Sequence, residues 1–213
     1  MTLGKWIDIT QPLEGDIAHW PEDEPFAYNK TVNKEDSGSV NIGKISMSTH
    51  IGTHVDAPFH FTNDGEKITD IDIERYIGKC TIIDIKDYPE IDATILKKKV
   101  QKPTQRLLIK TNLPNRPERF PDDVPPVTPD GAAYMAEWGV QLVGVDTPSV
   151  DDIDSKDLPG HHALYEHDIY ILENVMLDHV SEGEYELIAL PLAMKEADGS
   201  PVRAVIRPVE EEN

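Results

Sequence analysis

His50-Ile51-Gly52-Thr53-His54-Val55-Asp56-Ala57-Pro58-Phe59-His60 places three imidazoles and a carboxylate within eleven residues, and no other stretch of the chain gathers donors so densely. How this segment folds decides what the rest must build around it. His50, His54, Asp56 and His60 share one parity, so a regular strand would set all four on one face. A straight strand is too long, however: at about 3.3 Å per residue His50 and His54 would stand about 13 Å apart, whereas the donors of one ion must converge. A helix would make positions four apart neighbours, but Gly52, β-branched Thr53 and Val55, and Pro58 all oppose one. No Glu follows His50 to complete the HExxH motif of helical zinc proteases. What remains is a strand ending near Thr49, a sharp bend at Gly52 where a Cβ would obstruct, and a tight loop fixed by Ala57-Pro58 that folds the donors inward.

The donor types point to a metal. Histidine and aspartate bind divalent transition metals, and a cluster without Cys suits a catalytic centre better than a closed structural one. A lone histidine is usually a surface or hydrogen-bonded core residue. Four donors together weigh differently, because desolvating several imidazoles and a carboxylate costs several kcal/mol unless an ion or a full hydrogen-bond network compensates.

The 213 residues are enough for one domain with a sizeable core, and nothing resembles a linker, so residues 1–213 are read as a single unit. The opening MTLGKWIDITQPL lacks the basic and apolar regions of a signal peptide, and no apolar run approaches the length of a membrane span. A soluble, cytoplasmic protein is expected. Cys80 is the single cysteine, and its setting in KCTIIDI predicts a thiol buried in a strand, in keeping with a reducing compartment. The net charge of -20, from 40 acidic against 20 basic residues, argues against nucleic acid or an anionic membrane as partner. The clusters PEDEP, DDIDSKD and EEEN read as solubilising surface, and Asp151, Asp152 and Asp154 as a solvated loop, since the run lacks the mid-loop Gly and terminal Glu of a calcium-binding EF-hand.

Short β-rich runs recur at Trp6 to Ile9, Val40 to Thr49, Thr81 to Ile85, Arg106 to Thr111, Val140 to Val145, Ile169 to Leu172, Tyr185 to Leu190 and Val202 to Ile206. Helices are predicted for Ala93 to Val100, for a segment opened by Thr128 as N-cap with Pro129 first and closed by Gly139, and from near His161 through Tyr165. The order is mixed rather than a strict βαβ alternation, so the fold class is α/β or mixed α+β, with a mixed sheet or barrel and helices outside. Asn112 to Pro126 holds five of the seventeen prolines and reads as a long loop, either a binding lid or a passive excursion.

Further ligands have to come from elsewhere, and His161, His162, His167, Glu173 and His179 are the candidates. Glu173 ends an apolar run, so it either reaches solvent or meets a cation. Adjacent residues face different ways, so only one of His161 and His162 is expected to point inward.

The run HIGTHVDAPFH, joined later in the chain by DSKDLPGHHALYEHDIYILENV, resembles the cyclase family of hydrolases and, within it, the bacterial metal-dependent kynurenine formamidases, or arylformamidases. The family signature HxGTHxDxPxH is matched at His50, Gly52, Thr53, His54, Asp56, Pro58 and His60, and the resemblance extends from the first strand to the last. The family's later His and Glu, twelve residues apart, match His161 and Glu173 and demote His162. Trp20, in Asp16-Ile17-Ala18-His19-Trp20-Pro21, matches an aromatic residue bordering the substrate.

The resemblance implies a β-barrel-like sheet with outer helices, a swivelling cyclase-like fold, a homodimer, and two divalent metal ions. These are usually zinc, although the same ligands suit manganese, iron or cobalt. It implies that His50, His54 and Asp56 hold one ion, that Asp56 bridges to a second held by His161 and Glu173, and that His60 is left as a proton shuttle. A carboxylate has two oxygens with which to bridge, an option a neutral imidazole lacks. The implied reaction is hydrolysis of N-formyl-L-kynurenine, an aromatic formamide, to L-kynurenine and formate in tryptophan catabolism. A metal-held hydroxide would attack, His60 would act as general acid/base, and Trp20 would stack on the aryl ketone. The rival on the same scaffold is hydrolysis of another small amide, a lactone, or a cyclic amide such as isatin. A non-catalytic metal-binding protein would leave His60 without a purpose.

Overall fold

Strand-forming runs and helix caps combine into a curled mixed sheet with helices on its outer face. The computed structural model describes residues 4–86, 88–111, 113 and 115–209. In chain order, β1 (Ile7–Asp8) leads to a hairpin of β2 (Ala27–Val32) and β3 (Ile42–Ser46), with the one-turn helix α1 (Lys34–Ser37) at its tip. Next come β4 (His54–Asp56), β5 (Ile77–Asp84), α2 (Ala93–Lys99), β6 (Arg106–Lys110), α3 (Pro129–Glu137), β7 (Leu142–Val145), α4 (Pro159–Glu166) and β8 (Tyr170–Glu173). The chain closes with β9 (Gly183–Ile188), β10 (Gly199–Pro201) and β11 (Val205–Pro208). Among the described residues nine strands form one sheet in the order β1-β11-β9-β5-β6-β7-β8-β4-β10, curled into a half-barrel, and β2–β3 stands apart as a two-stranded sheet.

The centre of the sheet is parallel, β5 to β6 to β7 to β8, and the flanks are antiparallel. Parallel neighbours need crossovers, which α2, α3 and α4 supply. Strands covered on both sides read as continuous apolar runs. In β6, Leu107 and Ile109 pack under the helices with Leu96, Met135 and Leu164, while Leu108 faces the concave side with Tyr76, Leu172 and Leu187. The predicted cap of α3 is present: Thr128 Oγ1 accepts from Gly131 N at 3.2 Å, and Gly139, at φ 80°, lies just past the last turn. Cys80 is buried in β5, as its apolar neighbours predict.

Several expectations shift. The strand expected from Val40 to Thr49 ends at Ser46, and the run beginning at Val202 forms a strand only from Val205. The bend at Gly52 is present at φ 67°, but the chain then continues as a regular strand, β4, and one turn of 3-10 helix at Pro58–His60, in place of a tight loop. The Pro-rich segment carries neither helix nor strand at its described residues, which exclude Asn112 and Pro114. The terminal EEEN lies outside the described residues. Among the described residues, no helix is long and apolar enough to cross a membrane.

For the site, the decisive feature is the place of β4 between β8 and β10. Its register sets His54 directly opposite Glu173, and Asp56 opposite Gly199. Pairs directly opposite each other bring side chains within contact distance, so the sheet itself brings the two distant parts of the sequence together.

Candidate metal centre and active site

Gly52 makes the reversal that the local sequence requires. A Cβ there would stand 2.9 Å from Leu13 Cδ2, in a backbone conformation that side chains rarely adopt. Thr53 pins the turn: its Oγ1 accepts from Gln11 N at 2.8 Å and donates to Asn174 O at 2.7 Å. The chain thereby folds the His50 ring back against that of His54, with centroids 5.1 Å apart at 87°. Along β4 the side chains alternate, so His54 and Asp56 share the site face while Val55 enters the core.

Asp56 is the centre of the constellation. Its Oδ1 lies 3.0 Å from His50 Nδ1 and 3.4 Å from His54 Nε2, and its Oδ2 lies 3.4 Å from His161 Nε2. Glu173 approaches from β8, with Oε2 3.3 Å from His54 Nε2 and Oε1 3.9 Å from His161 Nε2. Two groups whose donor atoms lie within 4.8 Å of one another share the Asp56 carboxylate: His50, His54 and Asp56, and Asp56, His161 and Glu173. Glu173 does not reach solvent; it is 3% exposed and accepts a hydrogen bond from Val150 N at 3.0 Å.

These distances fit a cation better than a closed hydrogen-bond network. Among the described residues Asp56 Oδ2 is buried without a hydrogen-bond partner, which is costly for a carboxylate oxygen. Each of the three imidazoles has one ring nitrogen engaged away from the centre: His50 Nε2 by Asp198 at 3.1 Å, His54 Nδ1 by Gly52 O at 2.9 Å, and His161 Nδ1 by Asp151 at 2.6 Å. In a neutral ring that assignment turns the lone pair of the other nitrogen toward the carboxylates, an arrangement stable only with positive charge between them. Metal-ligating histidines characteristically donate their second N–H to a carboxylate or carbonyl in this way.

With protons as the only positive charge, the rings take them up. Burial pushes the His54 pKa down, but Asp56 and Glu173 outweigh it and hold it up at about 10. Burial likewise opposes protonation of His161, and Asp151 and Asp56 raise it to about 10, while Asp198 and Asp56 raise the buried His50 ring to about 9. Burial pushes the Asp56 carboxyl up, yet the His161, His50 and His54 rings that face it hold it well below the usual carboxylate range. Divalent ions would supply the same compensation without the protons.

The outer carboxylates are what the sequence reading missed. Asp151 is not part of a solvated loop: it is 1% exposed, and it accepts from Gly160 N at 2.6 Å, His161 N at 3.0 Å and the His161 ring. Helix α4 starts at Leu158, in the left-handed region at φ 45° and without a side-chain cap of its own, so Asp151 supplies the cap from outside the helix. Its neighbours Asp152 and Asp154 are exposed, as expected. Asp198, also missed, engages His50 and lies 3.9 Å from His60 Nδ1. An acid just before a strand beside a metal cluster was the available signal, and the unexpected β10 concealed it. His162, His167 and His179 are exposed and stand outside both donor groups.

A cavity of about 320 Å³ opens over the centre, lined by Trp20, Asp23, His60, Ser149 and Asp198 as well as His50, His54 and His161. That volume is on the scale of a small-molecule site. The His60 side chain is 34% exposed, stacked at 3.9 Å between centroids on His50, and belongs to neither donor group built on Asp56. Trp20 meets Phe120 of the Pro-rich segment edge-on at 4.7 Å, and Ala18 N donates to Pro117 O, so that segment backs the cavity wall.

The chain resembles known proteins along nearly its whole length. Over 209 residues the chain is 54% identical to a kynurenine formamidase of Bacillus anthracis and 53% identical to one of Bacillus thuringiensis strain Al Hakam, in each case covering 98% of this chain and 100% of the relative. A solved structure described as a potential metal-dependent hydrolase with cyclase activity superposes with a TM-score of 0.81 at 25% identity, covering 97% of this chain and 99% of the other. Isatin hydrolase A from Labrenzia aggregata shares the fold, with a TM-score of 0.81 at 24% identity over 97% of this chain and 94% of the other. The family model described as "Putative cyclase" matches residues 7–152, which contain the whole His50 to His60 signature. The chain belongs to this cyclase family and, within it, stands with the relatives named kynurenine formamidase.

Proposed function

We propose that the chain is a metal-dependent amidohydrolase that cleaves N-formyl-L-kynurenine to L-kynurenine and formate. The identity of over half with formamidases along nearly the full length supports the substrate. The observation that carries the mechanism is a partly exposed imidazole, His60, stacked on His50 and outside both donor groups built on Asp56.

In this reading His50, His54 and Asp56 would hold one ion, and Asp56, His161 and Glu173 a second, with zinc the expected metal. When bound, such ions lower the pKa of water from about 15.7 toward 7 and polarise a carbonyl. The protein's own residues do the rest. His60, on the cavity wall, accepts a proton from the attacking water and returns it to the aniline nitrogen as the C–N bond breaks, so that the amine leaves neutral. Trp20 offers a ring face to the aryl ketone, held in place by Phe120 behind it. Residues 1–213 act as one domain in a cytoplasmic homodimer; the lone buried Cys80 supports the compartment, and the exposed Tyr28, Ile42 and Ile45 on the β2–β3 hairpin support the dimer.

The test is a substrate panel on metal-replete protein. Formate release from N-formylkynurenine should far exceed hydrolysis of isatin or simple formanilides. A preference for isatin would move the assignment to cyclic amides, and tight metal without any hydrolysis would remove catalysis altogether.

A further inference from the structure

We propose that Asp198 is a positioning residue of this centre, one carboxylate that orients both the metal ligand His50 and the proton-transferring His60. The inference rests on the hydrolase reading above. Asp198 directly precedes β10, whose register puts Gly199 opposite Asp56, and the Asp198 carbonyl accepts the Ala57 N–H at 2.9 Å. The main chain therefore ties this residue to the turn that carries His60. Its side chain is equally constrained. Thr49 Oγ1 donates to Oδ1 at 2.9 Å, leaving Oδ2 to face both rings, 3.1 Å from His50 Nε2 and 3.9 Å from His60 Nδ1. Gly199 leaves room for the arrangement, since a Cβ there would come within 2.7 Å of His50 Cε1.

The chemistry explains why a carboxylate stands there. A neutral imidazole has one N–H and one lone pair. With His50 Nδ1 directed at the metal cluster, Nε2 carries the proton, and Asp198 accepting it fixes that tautomer. The same oxygen, 3.9 Å from His60 Nδ1 and so just outside hydrogen-bond distance, favours Nδ1–H there by its charge and leaves Nε2 as the nitrogen that moves protons. One residue thus couples metal holding to proton transfer. His50, His60 and Asp198 also lie close enough to be considered as a third donor group. That would require His50 to give both nitrogens as ligands, and a neutral ring has only one to give.

Asp198→Asn tests this, because the 42% exposed side chain can be changed with little risk to folding. At saturating metal the variant should keep its full metal content and a KM within about twofold of wild type. Its kcat should fall roughly 10- to 100-fold, the usual scale for residues that orient metal ligands, and its metal affinity should weaken by a similar factor. In a His60→Ala background the same change should lower kcat less than it does in the wild type, since only the His50 contact then remains, and Asp198→Glu should recover part of the loss. Stoichiometric loss of an ion at saturating metal would make Asp198 a ligand and overturn the proposal. So would unchanged kcat and metal affinity, or full additivity with His60→Ala. Wild-type turnover of whichever amide in the panel is cleaved provides the reference, so a wrong substrate assignment is recognised in the wild type, whereas a wrong role for Asp198 is recognised only in the variants.

Discussion

The two halves of the donor cluster reach Asp56 by opposite routes. His50, His54 and Asp56 come from seven consecutive residues, brought together by one backbone bend at Gly52 and one short strand. His161 and Glu173 come from the first turn of α4 and the last residue of β8, and nothing local aims either of them. Register does that work for Glu173, which sits opposite His54, and a remote cap does it for His161, whose backbone and ring both bond to Asp151. The near half depends on the shape of a loop. The far half depends on the whole sheet being in register.

The strongest way to break this distinction is to remove the residue the halves share. Asp56→Ala should lose both ions and all measurable turnover, as judged by metal analysis and formate release, because each half forfeits a ligand. Full metal and full rate in that variant would overturn the site. His60→Ala should retain both ions while kcat falls by roughly 10² to 10⁴, the range for a general acid/base. Glu173→Gln sharpens the comparison: it should remove one ion of two and leave the His50 half loaded, which equilibrium dialysis can count. Loss of both ions would mean that the halves are not separable. Asp151→Asn should be milder, weakening the second ion by roughly 10- to 100-fold and costing about 0.5–2 kcal/mol of stability through the helix cap.

The smallest effect concerns pH and appears only in metal-free protein. His50, His54 and His161 have folded pKa values raised from 6.5 to about 9, 10 and 10. Their protonated rings therefore stabilise the fold fully below about pH 6.5, and that contribution is lost as pH rises through 9 to 10. Melting temperature measured on chelated protein should fall across that window, and the metal-loaded protein should not share the decline. Parallel curves would mean that the ions and the protons do not compete for the same site.

Legibility in the sequence divides along the same line. The bend at Gly52, the inward-facing His54 and Asp56, the cap of α3, and the buried strand around Cys80 are all local matters, and local residues encode them. β10 was missed because Gly199-Ser200-Pro201 has none of the composition of a strand; at the sheet edge a proline is tolerated and tertiary pairing overrides propensity. Asp151 was misread because, in a chain with 40 acidic residues, one aspartate within a run of them carries no distinguishing mark. Only the position of α4 against β8 sets it apart from its solvated neighbours. Asp198 is hidden by β10 itself, the unpredicted strand that it directly precedes. Among His161, His162, His167, Glu173 and His179, only the family resemblance singles out His161 and Glu173, since the register that unites Glu173 with His54 is a property of the sheet.

The contact of Trp20 with Phe120 separates two kinds of change that the molecule can undergo. The donor cluster is anchored in β4, β8 and the first turn of α4, whereas Trp20 on the cavity wall is backed by a segment with neither helix nor strand, packed against the stretch that leads to it. Substitutions or length changes in that segment can reshape what the cavity admits while the donor cluster stays untouched. Substrate choice and chemistry thus rest on separate parts of the chain, and replacing the residues that back Trp20 is the direct route to a changed substrate range.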